Sequence, residues 1–202
     1  PSVTATLVAH HGPVYFGDGV GLGRVHYTVF IDGDKLREYV QWDAQQPIYR
    51  NEGVVGLFGG LSYADVIPAL SATNEEEGFT LLFSGYKGEA APDGDQTLYT
   101  SFGESLSINA DEFSMKLSNL SMDVSYDGSM VEAFKGDLFE SKVKALIENM
   151  EVTGLEAGET VKLENIALVT DTDIDEDSNT ANVYVEYAID KVTGPDLEAS
   201  DM

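Results

Sequence analysis

The 202-residue chain contains no cysteine, so it has no disulfide framework, no thiolate zinc site and no cysteine nucleophile. Basic residues are also few, because 11 Lys and Arg stand against 36 Asp and Glu, a formal net charge of -25. A surface of this charge repels phosphate groups, whereas duplex-binding proteins need clustered Lys and Arg. The composition therefore argues against specific nucleic-acid binding and against docking on an anionic membrane.

Long apolar runs are missing as well. No window approaches 18 apolar residues, and the N-terminal stretch PSVTATLVAHHGP lacks the positive start and apolar core of a secretion signal. We therefore expect no membrane insertion and a protein made in the cytoplasm. The excess of carboxylates favours folding in salty solution, which fits a halophilic or marine source, although Lys outnumbers Arg by eight to three.

The dominant pattern in the sequence is an alternation of apolar and polar residues with a period of two, which is typical of half-buried strands. Turn sequences rich in Gly and Asp separate the alternating segments. About eight strands are predicted, at VTATLVA, RVHYTVFI, 78–86, 96–102, 112–120, 122–126, 160–169 and 182–189. The pattern indicates a mainly β protein, an antiparallel β-sandwich or jelly roll forming a single domain over 1–194, followed by a loose polar tail over 195–202.

Two segments are predicted to be helical. Residues 138–150 have capping-box spacing between Asp137 and Glu140 and an apolar stripe that ends at Met150, so one helix is expected there. The stretch LSYADVIPALSA predicts one or two helical turns with Ser62 as the N-cap, ended by Pro68.

An acidic segment, DTDIDEDSNTAN, is the candidate metal site. Asp171, Asp173 and Asp175 match the first three ligand positions of an EF-hand, but Glu176 and Asn182 replace the required Gly and Glu, which excludes that motif. Two interpretations stay open. Asp171, Asp173, Asp175 and Asp177 form either a weak calcium loop or a solvated loop without a cation, and no other cofactor is indicated.

Signs of catalysis are weak. The run GDGVGLGR precedes a strand and lacks the helix N-terminus that a phosphate cradle requires. His10 and His11 are adjacent, so on an extended strand they point to opposite faces, and no G-x-S-x-G elbow is present. We therefore predict that the protein is not an enzyme.

Aromatic and basic residues coincide between positions 24 and 50. All three arginines lie there, together with the single tryptophan and two nearby tyrosines. Such residues are enriched at interfaces and can also stack on sugar rings, although core packing accounts for them equally well. The predicted contact surface consists of Arg24, Arg37, Tyr39, Trp42, Tyr49 and Arg50.

These observations favour a structural or binding module. The leading hypothesis is a self-assembling virion component, a capsid jelly-roll subunit or a tail-tube-like subunit, whose partners are copies of itself and other assembly subunits. Its location would then be the virion. The alternative is a calcium-assisted carbohydrate-binding or adhesion module that uses Trp42 and the acidic segment. An enzyme with dispersed carboxylates is the third hypothesis.

Overall fold

The computed structural model describes residues 4–12, 15–16, 20–21, 25–56, 60–76, 78–94, 96–127, 140–154, 158–175, 180–195 and 197–200. Arg24, Asp177 and residues 138–139, which carry parts of the sequence-based predictions, lie outside the described residues. The described part of the chain contains no helix long and apolar enough to cross a lipid bilayer.

Most described residues belong to β-strands, and the one helical segment among them is a short 3-10 helix at Asp34–Glu38. The strands are β1 (Ala5–His11), β2 (Tyr15–Phe16), β3 (Val20–Gly21), β4 (Val25–Ile31), β5 (Tyr49–Val55), β6 (Leu61–Ile67), β7 (Leu70–Asn74), β8 (Phe79–Phe83), β9 (Tyr86–Asp93), β10 (Gln96–Asn109), β11 (Phe113–Asp127), β12 (Ser141–Gly154), β13 (Thr160–Asp175), β14 (Thr180–Gly194) and β15 (Leu197–Ser200).

Thirteen of these strands form one antiparallel sheet in the order β1-β4-β5-β6-β9-β10-β11-β12-β13-β14-β15. The hairpin β7–β8 attaches to the end of β10 beyond β9, and β2 pairs only with β3. The order follows the chain apart from these two hairpins, so most connections join neighbouring strands. The sheet is open, because β1 and β15 lie at opposite ends of the order and do not pair with each other.

The predicted mainly β, antiparallel class is confirmed, and each of the eight predicted segments overlaps a strand. A sandwich or jelly roll is not confirmed, because the thirteen strands belong to a single open sheet. The predicted tail contains β15, which pairs with the end of β14.

Both helix predictions are wrong. Residues 141–150 form the first part of β12, and LSYADVIPALSA forms β6 and β7, separated at Pro68. In both segments a polar residue interrupts the apolar pattern of the strand, Glu148 in β12 and Asp65 in β6.

One face of the sheet is apolar across ten strands. Residues that lie directly opposite in neighbouring strands share a face. One such row runs Ala9, Tyr27, Gly53, Tyr63, Ala90, Tyr99, Val124, Val143, Thr170, Val185. The next runs Leu7, Val29, Asn51, Asp65, Gly88, Ser101, Met122, Ala145, Leu168, Tyr187. In a chain with 36 acidic residues, Asp65 is the only charged residue in either row. We call this side the apolar face.

A polar row crosses five long strands and marks the limit of the apolar face. It consists of Glu104, Asn119, Glu148, Asn165 and Asp190, each of which lies between two paired positions of β10 to β14. Asn119 donates to Glu148 at 2.6 Å, and Asn165 donates to Asp190 at 2.8 Å. Both asparagines have positive φ, 55° and 54°, in the left-handed region that Asn tolerates better than most residues.

Beyond the polar row the apolar side chains change faces. The next apolar row is Leu70, Phe83, Leu106, Leu117, Met150, Leu163, Val192. In β12 the apolar positions step from Ile147 to Met150, and strict alternation places residues three apart on opposite faces. Within β12 this three-residue step imitates helical spacing, which explains the wrong helix prediction.

The core is thin for a chain of this size. The buried hydrophobic residues among those described are Trp42, Leu61, Ala90 and Tyr99, and no described side chain is fully buried. The accessible surface is 13084 Å², whereas a compact 21.8 kDa protein exposes about 9,300 Å². This large accessible surface agrees with the small number of buried residues among those described.

Candidate binding surface

A cluster of tyrosines surrounds Asp65 at the centre of the apolar face. Asp65 is 8% exposed and Tyr99 is 6% exposed. The Tyr99 hydroxyl donates to the Asp65 carboxylate, with distances of 3.2 Å to Oδ1 and 3.4 Å to Oδ2, and Tyr49 also hydrogen-bonds to this carboxylate. The ring of Tyr63 stacks on that of Tyr99 with centroids 5.8 Å apart.

Glycines make room for this cluster. Gly88 lies opposite Asp65, and a Cβ atom there would overlap the Tyr99 hydroxyl and the Asp65 carboxylate. At Gly53 a Cβ atom would lie 2.6 Å from the hydroxyl of Tyr27. The tyrosine rings therefore lie over strand positions without side chains, which is a known use of glycine in a strand.

Burial controls the protonation of the cluster. It raises the pKa of the Asp65 carboxyl above the ordinary value, and the hydrogen bond from Tyr49 opposes that shift. Burial is also the first cause of the raised pKa values of four tyrosines, namely Tyr27, Tyr49, Tyr63 and Tyr86. These phenols stay neutral at physiological pH, so the cluster is a polar but weakly charged packing centre.

Toward β14 the apolar face becomes exposed. On β13 Leu168 is 43% exposed, and on β14 Val183, Val185 and Tyr187 are 61%, 54% and 81% exposed. These four residues lie on the apolar face and form what we call the apolar flank. Monomeric proteins seldom leave contiguous large apolar side chains this open unless the surface binds something.

The backbone next to the apolar flank is also available. β15 pairs with β14 only from Lys191 to Gly194. Residues 181–190 therefore pair with β13 on one side, and no described strand pairs with their other side. This segment, the open edge, contains no Lys or Pro, two residues that commonly protect edge strands. A second strand can add to it by backbone hydrogen bonds.

The predicted contact surface is divided between two places. The Arg37 guanidinium lies 3.8 Å from the ring centre of Trp42, and Trp42 Nε1 donates to the Gln46 carbonyl at 2.9 Å. Trp42 is 9% exposed, whereas Tyr39 is 69% exposed. Tyr49 and Arg50 lie on β5, where Tyr49 joins the tyrosine cluster and Arg50 pairs with Glu52 at 2.7 Å.

The predicted metal ligands lie at the end of β13. Asp171, Asp173 and Asp175 alternate along an extended strand and point to the face opposite the apolar flank. Asp171 pairs with Lys142 at 3.4 Å, and Asp171 and Asp173 line a cavity of about 230 Å³. The described residues contain no group of three or more His, Asp or Glu that could hold a metal ion. Calcium binding here stays a prediction.

Sequence reasoning missed the apolar flank and the open edge. The segment NVYVEYAI was correctly predicted as a strand, but a strand pattern does not show which neighbours the strand has. The absence of Lys and Pro from residues 181–190 was the one sequence signal of an open edge, since those residues commonly protect edges that face solvent.

Comparison with known proteins adds a family but no activity. A family model described as a bacterial protein of unknown function (DUF945) matches residues 2–202. The chain belongs to the DUF945 family. Searches of curated proteins and of solved structures give no match. The comparisons therefore assign no activity to this member of the DUF945 family.

Proposed function

We propose that this protein is a non-enzymatic structural protein that self-assembles through its open sheet. The observation that carries the proposal is the coincidence of the open edge of β14 with the apolar flank. An edge strand with an unpaired backbone and one exposed apolar face is a site at which another chain can pair. The proposal assigns no catalytic residue.

The surface area supports this proposal. The accessible surface of 13084 Å² exceeds the compact expectation of about 9,300 Å² by about 3,800 Å², which is more than two standard interfaces of about 1,600 Å². Tyr187, Val183 and Val185 supply the kind of rigid apolar area that binding surfaces use. Burial against a second chain would recover the hydrophobic free energy that the isolated sheet leaves unused.

The virion component suggested by the sequence would be one form of such assembly, and its acidic surface would repel DNA. The alternative of a calcium-assisted carbohydrate-binding module depends on the acidic end of β13 and on aromatic side chains. Tyr39 is the exposed aromatic of the predicted contact surface, so it is the residue on which that alternative now rests.

Light scattering coupled to size exclusion, in molar salt and over a wide concentration range, tests self-assembly. We expect the mass of the wild-type protein to rise above one chain with concentration. Val185→Lys should reduce or abolish that rise, because it places a charge at the centre of the open edge. The matched control is Leu98→Lys, an exposed apolar residue of β10, which should assemble normally. A strictly monomeric wild type would refute the proposal.

A second candidate function is favoured by the composition of the apolar face. Two rows that cross ten strands contain Asp65 as their only charged residue, and they end at the exposed apolar flank. A neutral ligand with a long apolar chain would match this surface, since ligand sites are mainly apolar with a few polar groups. Fluorescence of a labelled long-chain alcohol tests it. Leu168→Asp should abolish binding, and Leu98→Asp should not.

A further inference from the structure

We propose that two copies of the chain pair through β14 in an antiparallel arrangement, with a two-fold axis at Val185. The proposal rests on the self-assembly proposed above and specifies the partner and the register of the contact. The partner is a second copy because the sequence of the open edge is complementary to itself when it is reversed about Val185.

The placement of charge restricts the register. The open edge carries two acidic residues, Glu186 and Asp190, and no basic residue. An axis at Glu186 would put two carboxylates directly opposite, which is destabilising. With the axis at Val185, Glu186 lies opposite the partner's Tyr184, and no two charges are directly opposed.

The side-chain pairs in this register are favourable. Val183 lies opposite the partner's Tyr187, and pairs of aromatic and β-branched residues stabilise antiparallel strands. Tyr184 already reaches Glu186 of its own strand, with 3.3 Å between its hydroxyl and Oε2. The dimer places each Tyr184 beside the partner's Glu186 as well, so the acid gains a second donor within reach.

The geometry also joins the two apolar flanks. In this register residues pair with partners of the same parity, so Val183, Val185 and Tyr187 face the same side as their counterparts. The apolar face then continues from one copy into the next. A pair of this kind is isologous and closed.

The competing arrangement pairs β14 with β1 of another copy. β1 is the other end of the sheet order, and Leu7 on it is 65% exposed. This contact is heterologous and propagates into an open filament. It uses the seven residues of β1, whereas the symmetric pair uses residues 181–189 of each β14, so the symmetric pair forms more backbone hydrogen bonds.

Single-cysteine variants distinguish these arrangements, because the native chain has no cysteine. On the axis, the two Cα atoms of residue 185 would lie about 4.5 to 5.5 Å apart, which a disulfide can bridge. Val185→Cys should therefore form a disulfide-linked dimer under mild oxidation. Tyr187→Cys should not, because the two copies of residue 187 would lie about 13 Å apart along the strands.

A mixing experiment tests the pairing across the axis. Val183→Cys and Tyr187→Cys should each stay uncrosslinked alone and should form a disulfide when the two proteins are mixed. A Leu7→Cys variant mixed with Val185→Cys reports the filament contact. In that mixture we expect more Val185→Cys homodimer than product linked between Leu7→Cys and Val185→Cys.

The outcomes separate the register of the contact from self-assembly itself. Linkage of Val185→Cys together with linkage in the mixed pair supports the two-fold register. A wild type that assembles while the β14 cysteines stay unlinked, or link preferentially to Leu7→Cys, overturns the register but leaves self-assembly intact. A wild type that is monomeric in light scattering refutes self-assembly itself, and the register with it.

Discussion

At the scale of single residues, Asp65 is the one charged residue in the two rows that define the apolar face. Its carboxylate is buried among tyrosines and accepts hydrogen bonds from Tyr99 and Tyr49. Burial nevertheless raises its pKa, so the ionised form is less favourable in the folded protein than in the unfolded chain. The hydrogen bonds of Asp65 therefore stabilise the folded protein, whereas its buried charge destabilises it.

Substitution separates these two roles. Asp65→Asn keeps an acceptor for Tyr99 and removes the charge, so its free energy of unfolding at pH 7 should equal or exceed that of the wild type. Asp65→Ala leaves buried hydroxyls without their acceptor and should lower that free energy by about 1 to 3 kcal/mol. Urea unfolding measures both, and an Asn variant less stable than the Ala variant would contradict this account.

The sign of the pH dependence follows from the same pKa. Because the folded value is raised above the ordinary value of 3.8, the folded state binds the proton more tightly than the unfolded chain does. The Asp65 contribution to stability is therefore largest below 3.8 and falls as the pH rises through the raised value. The difference in unfolding free energy between wild type and Asp65→Asn should show this slope.

At the scale of elements, the polar row decides how the long strands are arranged. Its two asparagines with positive φ lie in β11 and β13, and their side chains reach acids in β12 and β14. On either side of the row the apolar residues occupy opposite faces of the sheet. The row therefore lets one set of continuous strands present apolar surface in two directions.

Replacement of Asn119 tests the backbone contribution. Asn119→Ala loses the hydrogen bond to Glu148 and places an unfavourable residue at positive φ. Asn119→Gly loses the same hydrogen bond but removes the backbone penalty. We expect the alanine variant to unfold about 1 to 2 kcal/mol more easily than the glycine variant. The control is Asn149→Ala, at an exposed position of β12, with an effect within about 0.5 kcal/mol. Equal stability of the Ala and Gly variants would contradict the strained-backbone account.

At the scale of the whole molecule, charge and uncovered surface oppose each other. A formal net charge of -25 repels both the parts of one chain and two copies of it, while the apolar flank favours association. Ordered ion pairs such as Lys162 with Glu151 and Lys191 with Glu164 are exposed and add little stability. Ionic strength should therefore control both folding and assembly.

Salt should raise the thermal stability. The screening length falls from about 10 Å at 0.1 M to about 3 Å at 1 M, so repulsion between carboxylates weakens and the melting temperature should increase. Mild acidification should act in the same direction until specific ion pairs are lost. Scanning calorimetry in sodium chloride and in potassium chloride at equal ionic strength makes the measurement. A melting temperature that declines steadily toward molar salt would contradict the expectation.

The sequence by itself determined the strand class, because alternation is a local property that each strand carries in its own residues. It also determined the charge and the segments that became β1, β4, β13 and β14. The helix predictions failed at the positions where local alternation is interrupted for a tertiary reason. In β12 the interruption is the change of face at Glu148, and in β6 it is Asp65, a polar residue on the apolar face.

Only the tertiary structure decided which strands are neighbours, and the candidate site depends on that. The sequence of residues 181–190 is that of an ordinary half-buried strand. Only the structure shows that β15 pairs with no more than the last few residues of β14. The tyrosine cluster likewise combines side chains from β4, β5, β6, β9 and β10 that are distant in sequence. Pairing between strands is nonlocal, so an open edge and a shared face exist only once the whole sheet has formed.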